Sequence, residues 1–127
     1  MKKIITNWED FEIGCKDLAK QIKSSKFKPD AIFTLPRGGL PIATRLAHLL
    51  NIKQIIINIK PYLIRPYHKI LFVDDIADSG GAILKNIPQN CNCKIATLHY
   101  KPKTSRVKPD YYFEETDNWI VYPWEIK

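Results

Sequence analysis

The chain has 127 residues, with 20 lysines and arginines against 13 aspartates and glutamates, for a formal charge of +7. That length fits one domain with a genuine core and not two, and 45% hydrophobic with 26% charged residues is ordinary for a soluble globular protein. No apolar run approaches the roughly 18 residues of a membrane span. Met1-Lys2-Lys3 is basic, but Asn7, Glu9 and Asp10 interrupt too soon after Ile4-Ile5 for a signal-peptide core, so a cytoplasmic address is expected.

Thr6-Asn7-Trp8-Glu9 reads as a capping box opening a helix. Trp8, Phe11, Cys15, Leu18 and Ile22 then recur at three- and four-residue steps as one apolar stripe, which fades at Ser24-Ser25. A core strand is expected over 31–35, then a turn at Pro36-Arg37-Gly38-Gly39. A helix over about 40–50 follows, with Ala43, Leu46, Ala47 and Leu50 facing a sheet. An isoleucine-rich strand over 52–59 precedes a loop over 60–68 that holds two prolines. A third strand over 69–73, a turn, a short helix ending before Pro88 and a fourth strand over 93–99 complete the alternation. Strand-helix alternation at this spacing implies an α/β fold, a parallel twisted sheet flanked by helices. The tail after Lys101 is proline-broken and aromatic, with apolar runs at Tyr111-Tyr112-Phe113 and Trp119-Ile120-Val121-Tyr122. It is expected to form a small C-terminal hood over the sheet's carboxyl edge, in a single domain whose core spans about 27–100. Cys15, Cys91 and Cys93 are odd in number and Cys91-Asn92-Cys93 lacks the spacer of a metal or redox motif, so free thiols are expected.

The most informative segment is Ile70-Leu71-Phe72-Val73-Asp74-Asp75-Ile76-Ala77-Asp78-Ser79-Gly80-Gly81-Ala82. A buried strand ends in two adjacent carboxylates, a third carboxylate follows, and Ser-Gly-Gly opens a helix. Carboxylates at the carboxyl end of a parallel strand grip hydroxyls or a metal ion. Backbone N–H groups in a glycine turn hold a phosphate. A ribose 5-phosphate unit needs both, side by side. Leu35-Pro36-Arg37-Gly38-Gly39-Leu40 ends the first strand on the same sheet edge. Its two glycines let main-chain N–H groups approach an anion, and Arg37 adds a bidentate donor. The net positive charge suits an anionic partner. Nucleic acid is not expected, because the basic residues are spread along the chain and no nucleic-acid module is visible.

The segment around Asp74-Asp75 resembles the phosphoribosyl-diphosphate (PRPP) motif of the type I phosphoribosyltransferase family, with Ser79 where threonine is commoner and Ala82 where many members carry a second threonine. The spelling Arg37-Gly38-Gly39-Leu40, Lys101-Pro102 and Asp117-Asn118-Trp119-Ile120-Val121-Tyr122-Pro123-Trp124-Glu125 is similar to the xanthine-guanine branch of that family. The resemblance spans roughly residues 35–125, its strong matches being these three short segments.

What the resemblance implies is Mg²⁺-dependent transfer of the phosphoribosyl group of PRPP to a 6-oxopurine (guanine, xanthine or hypoxanthine), as in purine salvage. Asp74 and Asp75 then meet the ribose hydroxyls and, directly or through water, the metal. Asp78 is the general base, and Asp78, Ser79, Gly80, Gly81 and Ala82 border the 5′-phosphate. Arg37, Gly38 and Gly39 receive pyrophosphate, with Arg65 a further candidate. Lys101, Trp119 and the backbone at Ile120 read the purine; Trp119 supplies a stacking plane, while plain packing is the expectation for Trp124. The 60–68 connection is shorter than the family's mobile loop, which leaves Arg65, Tyr62, His68 or a second subunit to close the site. Tyr62, Leu63, Ile64 and Tyr67 suit an interface, so a homodimer or larger homo-oligomer is expected. Two other readings stay open. One is a catalytically weak regulator that senses PRPP or nucleotides on the same fold, and the other is an enzyme with a pyrimidine acceptor, against which Lys101 and Trp119 count.

Overall fold

A computed structural model describes residues 1–57, 59–60, 63, 69–88 and 92–127. The chain begins with a short strand β1 (Lys3–Ile5) and helix α1 (Trp8–Ser24), followed by β2 (Ala31–Thr34) and α2 (Gly39–Leu50). Next come β3 (Ile55–Ile57), β4 (Lys69–Ala77), α3 (Gly81–Asn86), β5 (Asn92–Tyr100), β6 (Tyr111–Glu115) and β7 (Trp119–Val121), with a 3₁₀ turn at Pro123–Glu125. The central sheet has the order β3-β2-β4-β5-β6 and every pairing in it is parallel.

The period of two along β4 explains why this strand is central. Leu71 and Val73 face a core built with Cys15, Leu18 and Ile22 of α1 and Ile42, Ala43 and Leu46 of α2. Ile70 and Phe72 face the other core, with Phe33 and with Ile83 of α3. Both faces are buried, so the strand reads as a continuous apolar run. Phe33 and Phe72 meet edge to face, ring centroids 5.5 Å apart. Helix α1 starts at Asn7, whose side chain accepts from Asp10 N (2.8 Å) while the Asp10 carboxylate accepts from Asn7 N (2.9 Å). The cap is therefore one residue later than the Thr6–Glu9 pairing suggests, because an asparagine carbonyl reaches the third helical amide as a threonine hydroxyl would.

Two expectations change. Strand β4 does not stop at Val73; it runs to Ala77, so Asp74 and Asp75 sit in the strand's final turns of pleat and not in a loop. The segment after Lys101 is not all hood: Tyr111–Glu115 extends the main sheet as its parallel edge strand, with Ala96 opposite Tyr111. The basic start of the chain, for which the sequence indicated no element, is a strand, β1, paired in parallel with β7 in a separate two-stranded sheet. Tyr62, Ile64, Arg65, Tyr67, His68 and Cys91 lie outside the described residues. No described helix is long and apolar enough to cross a membrane.

Candidate active site

The carboxyl end of β4 carries the acidic pair. Asp74 Oδ1 accepts from Asp75 N (2.9 Å) and Asp75 Oδ1 accepts from Ile76 N (2.8 Å), so each carboxylate is braced by the amide that follows it. Both groups are half-buried. Burial pushes both carboxyls above the ordinary carboxylate range, and the charge of Asp74 pushes Asp75 further. Among the described residues no cationic side chain pairs with either. Such a pair has room for a ligand that brings hydroxyls or positive charge.

The turn between β2 and α2 packs directly onto this pair. A Cβ on Gly38 would lie 2.9 Å from Asp75 Cγ, so only glycine lets the backbone come this close. The Pro36–Arg37 peptide is cis, and Gly39 opens α2. Arg37, Gly38 and Asp75 line a cleft of about 790 Å³ whose far wall is Trp124, Glu125 and Lys127. The expected pyrophosphate loop and the acidic pair are thus one surface.

Asp78 follows β4 and meets Lys101, which follows β5. The Lys101 ammonium is 3.4 Å from Asp78 Oδ2, and Lys101 N donates to Ala77 O (2.9 Å). Lys101 is only 7% exposed: its stem is buried and its head turns to the Asp78 carboxylate. Thr104 Oγ1 donates to Asp78 O (2.8 Å), and Arg106 N to Ser79 O (2.9 Å). Gly80 takes the left-handed conformation (φ 83°), and a Cβ there would meet Val107 N at 3.0 Å and Arg106 N at 3.2 Å. The segment 101–107 therefore straps the Ser79-Gly80-Gly81 turn. Leu84 N donates to Gly80 O (3.0 Å), so the amides of Gly81, Ala82 and Ile83 lie ahead of the ladder of α3.

The aromatic candidates part company. Trp124 packs as expected, stacked on Tyr122 (4.9 Å, 4°) and edge-on to Phe11 (5.7 Å). Trp119 is 59% exposed, and its contacts run to the N-terminal strand and not to the Lys101–Asp78 pair. The Ile120 side chain is buried in the core, so only its backbone remains for recognition. Arg65 falls outside the described residues.

Four contributors escaped the sequence reading. Tyr122 Oη donates to Asp75 O (3.1 Å) and lies 2.8 Å from His99 Nδ1, which ties the C-terminal segment to the acidic strand. With that donation made, the Tyr122 oxygen accepts from His99 Nδ1–H. Burial lowers the His99 pKa to about 4, so the ring is neutral. Arg106 stands at the mouth of the glycine turn, its Nη2 3.4 Å from where a Gly81 Cβ would be. Lys3 lies over Trp119. Tyr122 hid inside an apolar run, His99 inside a strand, and Arg106 and Lys3 among dispersed charges.

Comparison with known proteins agrees with this geometry. A phosphoribosyl transferase domain profile matches residues 1–63. The xanthine-guanine phosphoribosyltransferase of Vibrio parahaemolyticus serotype O3:K6 (strain RIMD 2210633) is 29% identical over 141 aligned residues, covering 98% of this chain and 90% of that protein. The purine phosphoribosyltransferase structure from Pyrococcus horikoshii Ot3 superposes with a TM-score of 0.82 at 28% identity, over 100% of this chain and 96% of that one. A Helicobacter pylori xanthine-guanine-hypoxanthine phosphoribosyltransferase shares the fold, with a TM-score of 0.82 at 22% identity and 98% and 92% coverage. With the sheet order, the acidic pair and the two glycine turns on one edge, these matches show that the chain has the type I phosphoribosyltransferase fold and is similar in sequence to purine phosphoribosyltransferases.

Proposed function

We propose that the protein moves the 5-phosphoribosyl group of PRPP onto a 6-oxopurine, giving the nucleoside 5′-monophosphate and pyrophosphate in purine salvage. The observation that carries this reading is the Asp74–Asp75 pair, half-buried and without a cationic partner among the described residues, pressed against the bare backbone of Gly38. The names of the Vibrio and Pyrococcus proteins support a purine acceptor, and the Lys101–Asp78 pair supports a 6-oxo one. An ammonium donates to a carbonyl oxygen but has nothing to accept from the amino group of adenine.

In this reading Asp74 and Asp75 hold the ribose hydroxyls, while Ser79, Gly80, Gly81 and Ala82 cradle the 5′-phosphate with Arg106 beside them. Arg37, Gly38 and Gly39 receive the diphosphate. The bond from ribose C1 to the diphosphate oxygen breaks, its electron pair leaving with the diphosphate, and a purine nitrogen lone pair forms the new bond. Asp78 takes the proton that nitrogen sheds. The residues present fit a magnesium ion. Among the described residues no cationic side chain pairs with the two adjacent carboxylates, which suits an ion completed by substrate oxygens. When bound, that ion neutralises the departing diphosphate. Assembly into at least a dimer belongs to the same reading; the exposed Leu63 within the 60–68 connection supports it, and sedimentation at micromolar concentration tests it.

Incubation with PRPP and Mg²⁺ and, in parallel, guanine, xanthine, hypoxanthine and adenine tests the assignment. Conversion of 6-oxopurines but not adenine is expected. Adenine turnover at a comparable rate overturns the base assignment. PRPP binding with no transfer to any base favours a nucleotide-sensing regulator instead.

A further inference from the structure

Trp119, the exposed indole assigned to base stacking, is built into a contact with the start of the chain. In the parallel β1–β7 pair, Lys3 stands opposite Trp119, Ile4 opposite Ile120 and Ile5 opposite Val121. Trp119 N donates to Lys2 O (2.9 Å), and Thr6 N and Oγ1 both donate to Val121 O (2.9 Å each). Ile4 packs against the core, and Asn7 at once caps α1, so the register of this strand is pinned at both ends. Directly opposed residues of a parallel pair project to the same face. The Lys3 ammonium accordingly lies over the Trp119 ring, 5.3 Å from its centroid. An isolated two-stranded sheet is marginal in water, so this one persists through the anchors just named.

We propose that Lys3 is a positioning residue of the base site: held over Trp119 by the β1–β7 register, its ammonium fixes the indole plane on which the purine stacks. The proposal rests on the 6-oxopurine reading above and deepens it. An indole with 59% of its surface exposed has several rotamers open to it, and a base that stacks on it must first select one. A cation seated on one face removes that freedom and leaves the opposite face for the base. The ring's preorganisation then appears in base affinity and nowhere in the PRPP half of the site, which hangs from β4 and α3. Lysine's long stem suits the task, because it spans the ribbon while its head stays in water.

The experiment compares the wild type with K3A, K3R, W119L and the K3A/W119L double variant, in steady-state kinetics with guanine, xanthine and hypoxanthine as acceptors. Lys3 and Trp119 are both exposed, and a thermal melt of each variant verifies that it folds. K3A is expected to raise KM for the base about threefold to tenfold while leaving KM for PRPP and kcat within about twofold. K3R restores the wild-type KM, because a guanidinium stacks on indole as well as an ammonium does. K3A adds nothing to W119L, since the two residues act as one unit. An unchanged or lowered base KM in K3A, an equal rise in both substrates' KM, or additivity with W119L overturns the proposal while the base-site reading stands. A wild type that converts no purine overturns both.

Discussion

Gly38 touches the Asp75 carboxylate, so the loop after β2 and the acid at the end of β4 form one surface with no side chain between them. Gly38→Ala forces the carboxylate aside or the loop back. Overpacking of this kind costs about 1–3 kcal/mol. PRPP affinity measured by calorimetry with Mg²⁺ is expected to fall about tenfold, one decade for each 1.4 kcal/mol. Unchanged affinity in a folded variant would show that the contact is incidental to the ligand.

For the acidic pair, binding and stability should move in opposite directions. Burial and mutual repulsion disfavour the charged forms of Asp74 and Asp75 in the free protein. Asp75→Asn removes one charge, so the melting temperature without ligand is expected to rise by a few degrees while PRPP affinity collapses. A variant less stable than the wild type would contradict the repulsion argument.

Asp78 and Lys101 are predicted to affect the chemistry and the choice of base. With the ammonium 3.4 Å from the carboxylate, Asp78→Asn removes the proposed proton acceptor and frees Lys101. Turnover should drop by about 100-fold or more with PRPP affinity nearly unchanged. Lys101→Ala should narrow the gap between guanine and adenine. Equal losses in turnover and PRPP affinity for Asp78→Asn would recast that residue as part of the phosphate site.

His99 gives a pH dependence with a defined sign. Folded, its pKa is lowered to about 4 from 6.5, so between these values the unfolded chain binds more protons. Stability from the neutral ring is fully present above pH 6.5 and is lost as pH falls toward 4, by up to about 3 kcal/mol. The raised carboxyls of Asp74 and Asp75 act oppositely over acid pH, since their folded forms bind more protons than the unfolded ones. Comparing melts of the wild type and His99→Gln at pH 7.5 and 4.5 cancels that common contribution. The wild type should lose more on acidification; a smaller loss would mean the ring is charged in the fold, paired with Glu114.

How much of this was legible in the sequence depended on range. The strands and helices of the central sheet follow from local periodicity, because Ile70, Phe72, Leu71 and Val73 alternate between two cores. The acid-glycine segment was legible for the same reason: Asp74, Asp75, Asp78 and Gly80 are neighbours in sequence as well as in space. What stayed hidden joins distant parts of the chain. β1 is three residues long and gains meaning only beside β7. Tyr122 looks like one more aromatic in an apolar run until its hydroxyl is seen at Asp75 O. β6 was mistaken for part of the hood because prolines precede it, and prolines outside a strand say nothing about where that strand will dock.

The β1–β7 ribbon also sets an order of events during folding. Its hydrogen bonds from Thr6 to Val121 close a separation of 115 residues, nearly the whole chain. Closing so wide a loop is entropically late, whereas β2, β4 and β5 gather around contacts made at shorter range. On the ribosome, β4 and its acidic pair emerge well before Trp119 does. The half of the site proposed to hold the sugar phosphate is thus assembled before the indole proposed as the platform for the base.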